Sequence, residues 1–234
     1  MTTPPPMSFN TPEGFFALPL GDTGEDRAER AGLFVRGLYA RGDDEIWAPA
    51  APYYEALGEF LADGGVTYAA MGLFSTADTA DTADTADTDT ADADGTAAPE
   101  QDAARYEASL GVAQCAFTLA AVPTEQADPE IAAQGLFALW SQDEYNDVDW
   151  LDLPCGPAVT RTTVSGYRLR PELTGDGEEG ELLTGQIQTH VPFPRAPFAA
   201  VFTLHTASMD HWGAFRDLMT AILHTVAFPV TAEA

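Results

Sequence analysis

The chain has 234 residues, 45% hydrophobic and 10% aromatic, which is enough to bury one sizeable core. Its formal net charge of −27 repels phosphate backbones and anionic lipid surfaces, so neither nucleic acid nor a membrane is an expected partner. All ten cations are arginine, and without a lysine amine Schiff-base enzymes, pyridoxal-phosphate enzymes and Walker-type phosphate loops are excluded.

Residues 1–14 carry a triple proline among polar residues and read as a flexible or loosely docked tail, which Phe15, Phe16 and Leu18 tuck in. The first 20 residues show no basic region followed by a cleavable apolar core, and no apolar run approaches the ~20 residues of a membrane span. A cytoplasmic location is therefore expected. Residues 22–41 predict a helix capped by Asp22 or Thr23, with acids in the first turn and Ala31, Phe34, Val35, Leu38 and Tyr39 as its inner stripe. A second helix is predicted over 49–63, starting at Pro49, stopped by Gly64-Gly65, and turning Tyr53, Leu57, Phe60 and Leu61 inward. The acids Glu25, Asp26, Glu29, Glu55 and Glu59 on this helical pair read as a solvated face.

Strands are predicted over 66–74 and 110–122, and between them lies an acidic insertion, 75–109. It repeats Thr-Ala-Asp and holds ten acids against one arginine, a net −9. So few apolar groups cannot offset chain entropy, and a disordered hairpin tip is expected. The tract lacks the glycine turns and graded ligand spacing of calcium loops. Residues 15–234 are then one α+β domain interrupted by this insertion.

A third helix starts at Asp128, an N-cap followed by Pro129, with Ile131, Leu136, Leu139 and Trp140 as apolar contacts. Residues 148–153 form a short strand, Pro154-Cys155-Gly156-Pro157 turns the chain, and 158–169 alternate as another. Leu183, Gly185, Ile187, Thr189 and Val191 then alternate with Thr184, Gln186, Gln188 and His190, the two-residue period of a strand with one polar face. The near-continuous apolar run 198–205 suits a central strand. From Met209 the period changes: Trp212, Phe215, Met219, Ile222, Leu223 and Val226 make one helical stripe, with Ser208 as the expected N-cap and Pro229 as the stop before a short final strand. Strands joined by turns rather than by helices argue for an antiparallel sheet of six to seven strands with helices packed on it, plus the N-terminal helical pair.

No residue earns a catalytic, cofactor-binding or metal assignment. There is no G-x-S-x-G elbow, and the four histidines, His190, His205, His211 and His224, show no metal-binding spacing. Cys115 and Cys155 are too few for a disulfide framework and read as buried thiols.

The turn LDLPCGPAV, the strand pair QIQTHVPFP and FAAVFTLHT, and the ending WGAFRDLMTAILHTVAF together resemble the PsbP-like fold, including its LpqN-like actinobacterial group and a set of uncharacterised actinobacterial cytoplasmic proteins. The resemblance runs from Val66 to Phe228. It implies a non-catalytic binding or adaptor domain and carries over no site residue. Two function classes follow: a protein-binding module of adaptor, chaperone-like or secretion-associated kind, whose partner is another protein or a second copy of itself; or a small-molecule binder or enzyme with a cleft lined by Trp150, Tyr167 and Phe202. No cofactor is expected in either.

Overall fold

The alternating and apolar runs of the sequence become one sheet in the computed structural model, which describes residues 4–38, 44–76, 111–171, 174 and 178–229. Its strands are β1 (Phe15–Ala17), β2 (Val66–Ser75), β3 (Val112–Pro123), β4 (Asp147–Leu153), β5 (Gly156–Leu169), β6 (Gly180–Pro192) and β7 (Phe198–Thr206). They lie in the order β1-β2-β3-β7-β6-β5-β4, every neighbour antiparallel. Among the described residues, four helices of a dozen residues or more pack on it: α1 (Gly24–Leu38), α3 (Ala51–Asp63), α4 (Pro129–Trp140) and α5 (Trp212–His224). A short α2 (Asp44–Trp47) precedes α3. The expected α+β class, strand count and N-terminal helical pair are all present.

Because side chains alternate across a strand, cross-strand partners identify the two faces of the sheet. The front holds the main core: Cys115, Phe117 and Leu119 of β3, Ala200, Phe202 and Leu204 of β7, and Ile187 and Val191 of β6, all buried under Phe215, Met219, Ile222 and Leu223 of α5. The predicted stripe on α5 packs on the core. Its first residue, Trp212, is half-buried against that core, with its ring over Gly185, where no Cβ stands in the way.

The back is covered at its two ends. Over β1 and β2 sit α1 and α3, where Phe34 and Val35 of α1 and Trp47 of α2 pack with Phe16, Leu18 and Met71. Over β4, β5 and β6 sits α4.

Several local expectations need correction. Residues 4–14 are docked rather than flexible: Ser8 and Ala227 exchange two backbone hydrogen bonds of 2.9 Å, and Phe9 meets Tyr68, Phe117 and Phe202 with ring centroids 5.2 to 6.2 Å apart. The aromatic pocket on the front of the sheet supplies a burial gain that the polar composition around Phe9 conceals. Of the segment expected as a final strand, the described residues, to Pro229, make one isolated bridge, at Ala227. Tyr53 and Phe60 point outward from α3, 68% and 74% exposed. The inner face of that helix centres on Gly58, which sits against the Pro19 carbonyl so closely that no Cβ fits. A glycine leaves no trace in a hydrophobic stripe; of the four expected inward residues, Leu57 and Leu61 are half-buried and Tyr53 and Phe60 are not.

The same happens in α4, where Ile131 and Leu139 are exposed and the buried centre is Ala133. Ser208 stands at the N-cap position of a 3₁₀ turn (Met209–His211) that leads into α5, but its side chain makes no cap bond; its hydroxyl accepts from the Gln114 amide at 3.1 Å instead. Caps do form at Thr23, which accepts from the Asp26 amide at 3.2 Å, and at Asp128, which accepts from Glu130 and Ile131 at 2.9 and 3.2 Å. The 75–109 insertion lies outside the described residues apart from its first two. β2 and β3, which flank it, pair as a hairpin closed by a 2.8 Å bond from the Thr76 amide to the Gly111 carbonyl.

Candidate functional site

On the back of the sheet, α1 and α3 cover β1 and β2 while α4 covers β4 to β6, and β3 and β7 run between them. Strand register shows what lies on that floor. One row runs Met71, Ala116, His205, Gln186, Thr163 from β2 to β5. The next runs Ala69, Thr118, Thr203, Gln188, Arg161. A third begins at Ala120 and continues through Val201 and His190 to Val159. Gln114 and Ala116 are exposed; Thr118, Thr203, Gln186, Gln188, His205, Thr163 and Arg161 are half-buried. The result is a polar trough with small residues along β3 and amides and hydroxyls along β6 and β7. Thr184, expected among the open polar residues, is instead buried on this face.

The wall under α4 is the most organised part. Arg161 lays its guanidinium over the Trp140 ring, 4.8 Å from the centroid, and its Nε donates to Gln188 Oε1 at 2.8 Å. His190 meets the same indole edge-on, centroids 4.9 Å apart. Burial, and secondarily the charge of Arg161, push the His190 imidazole down to about 4. An unfolded histidine titrates near 6.5, so between those values the unfolded chain binds a proton that the folded chain refuses. Stability from this residue is whole above ~6.5 and is lost as pH falls towards about 4. Acidification from pH ~7 to ~4.5 is therefore expected to cost the wild type more stability than His190→Gln loses. Ring resonances of His190 titrating near 6.5 in an NMR pH series would contradict this.

The other histidines do not join His190 in one cluster. His205 stands in the trough on β7, His211 in the 3₁₀ turn, and His224 is exposed on α5, its Nδ1 beside the Thr220 carbonyl at 2.9 Å. Among the described residues, no group of three or more His, Cys, Asp or Glu side chains is placed to hold a metal ion. Both cysteines are free. Burial pushes the Cys115 thiol up to about 12 and raises Cys155 as well, so neither favours the thiolate form that nucleophilic chemistry needs.

Nor do the three aromatics expected to line a cleft converge. Phe202 is buried in the front core, Trp150 lies behind β4 against Phe137 of α4, and Tyr167 is exposed towards the far end of the β5–β6 hairpin. Sequence reasoning missed Arg161 altogether, because its neighbours Gln188 and Trp140 are 27 and 21 residues away and meet it only through sheet register and helix docking. Among the described residues, no helix is long and apolar enough to cross a membrane. No family model matches the chain, and neither the curated proteins nor the solved structures contain a match to it.

Proposed function

We propose that the chain is a non-catalytic, cytoplasmic protein-binding module, adaptor or chaperone-like, that lays a segment of a basic partner in the trough behind β3 and β7. The observation that carries this reading is the polar floor that no described helix covers. Between the two described helical caps, that sheet face presents small side chains, amides and hydroxyls that an extended polypeptide can satisfy. The net charge of −27 favours capture of basic segments and rejects acidic ones. The PsbP-like resemblance, which implies binding rather than catalysis, supports the same class of function.

A second reading, a small-molecule binder with its site in the same trough, is favoured by one arrangement, the stacked and hydrogen-bonded Arg161.

Capture of a protein partner separates the two, and blocking the floor ties that partner to the trough. Ala116 is exposed, so Ala116→Trp fills the trough without disturbing the core. Expected is a partner captured from native lysate at low salt, released as salt screens the attraction, and bound at least about tenfold more weakly by the variant, about 1.4 kcal/mol. Equal capture by both proteins, or a strictly monomeric protein that holds no partner at low salt, contradicts the proposal.

A further inference from the structure

We propose that Arg161 is the anchor for a single carboxylate on whatever ligand occupies the trough. Among the described residues the ion pairs join Arg27 to Glu59 and Arg30 to Asp26, and Arg161 has none. Of the described arginines outside those pairs, Arg36, Arg168, Arg170, Arg195 and Arg216 are exposed, and Arg161 alone is half-buried.

The side chain is also held still. Its flat face rests on Trp140 and its Nε is committed to Gln188, which fixes the plane of the fork. A guanidinium has five N–H donors, and with Nε committed, one N–H on each of the two terminal nitrogens can grip a carboxylate end-on through two parallel bonds. Much of the entropy cost of ordering an arginine is thereby met before any ligand arrives. The residues beside it in register, Gln188, Thr203 and Thr118 along its row and Thr163 two positions along β5, are neutral and can donate, so no neighbour on the floor competes for the charge. A polyanion meets the repulsion of the whole molecule, whereas one carboxylate meets little of it and gains a local, half-buried bond.

The inference takes its placement from the trough reading but not the identity of the partner. The carboxylate belongs either to a chain end or acidic side chain of a bound polypeptide or to a free organic acid, and the recognition chemistry is the same.

The test uses the full chain, ¹⁵N-labelled, with phenylacetate and its uncharged isostere phenylacetamide as probes. Phenylacetate is expected to shift the Arg161 Nε–H and Trp140 indole N–H signals saturably, and phenylacetamide to leave them in place. Arg161→Gln should weaken phenylacetate at least about tenfold, and Arg161→Lys, which keeps the charge but loses the fork, should fall between. A short Arg-containing peptide with a free C-terminus, compared with its C-terminal amide, separates the sources. Preference for the acid assigns the carboxylate to a chain, and indifference alongside phenylacetate binding assigns it to a small acid. No saturable shift with phenylacetate, equal binding of the amide, or tighter binding of phenyl phosphate overturns the proposal. The acid–amide comparison needs no variant, so a misfolded Arg161→Gln leaves it decisive. Failure here with a positive Ala116→Trp result removes the carboxylate anchor and leaves the trough.

Discussion

Phe202→Ala is expected to destabilise the protein by about 3 to 5 kcal/mol, the range for emptying a large aromatic site in a core. Phe202 is fully buried in β7, the strand with β3 on one side and β6 on the other. Its ring meets Phe9 edge-on at 5.6 Å and Phe117 at 6.2 Å, so truncation removes contacts with the sheet and with the N-terminal segment together. Neighbours locked into a paired strand cannot collapse into the space, which places the cost at the upper part of the range. Urea titration should show a lower midpoint with an unchanged slope. A loss below about 1 kcal/mol would mean that the front of the sheet is not the principal core.

Deleting residues 1–11 is expected to cost about 3 kcal/mol or more. The segment contributes Met7 and Phe9 to the core, and burying one such side chain is worth roughly 1.5 to 3 kcal/mol. It also supplies the two backbone bonds between Ser8 and Ala227 and the bond from the Asn10 amide to Thr225 Oγ1 at 2.8 Å. The truncated protein should unfold at lower urea and lose the protection of Ala227 in amide exchange. An unchanged midpoint would return the segment to the status of a free tail.

Six of the seven strands and their faces were legible because hydrophobic alternation is a direct projection of sheet burial; the three residues of β1 (Phe15–Ala17) are too few to show a period. The runs at 66–74, 110–122, 148–153, 158–169, 182–191 and 198–205 each fall within two residues of a strand. Asp128-Pro129 marked a helix start because both residues act through local backbone chemistry. Features that depend on a partner far along the chain were not legible. Tyr53 and Phe60 were assigned to the wrong face because the inner face of α3 is organised by Gly58 and the Pro19 carbonyl, 39 residues away. Phe9 is claimed by an aromatic pocket made from β2, β3 and β7. Gln186 and Gln188 did signal a polar face, but only the strand order places them beside Thr203 and Thr118 on a shared floor.

The trough is tested most directly by methyl NMR of the protein with the captured partner added. Ala116, Thr118, Ala120 and Thr203 lie on the back of β3 and β7, and Ala113, Leu119 and Ala200 on the front of the same strands. Binding in the trough perturbs the first group saturably and leaves the second in place, and in Ala116→Trp the perturbation of the remaining back-face methyls is lost. Perturbation confined to the outer faces of α1 and α3 or to the β4 edge, with the four back-face methyls unmoved, contradicts the account.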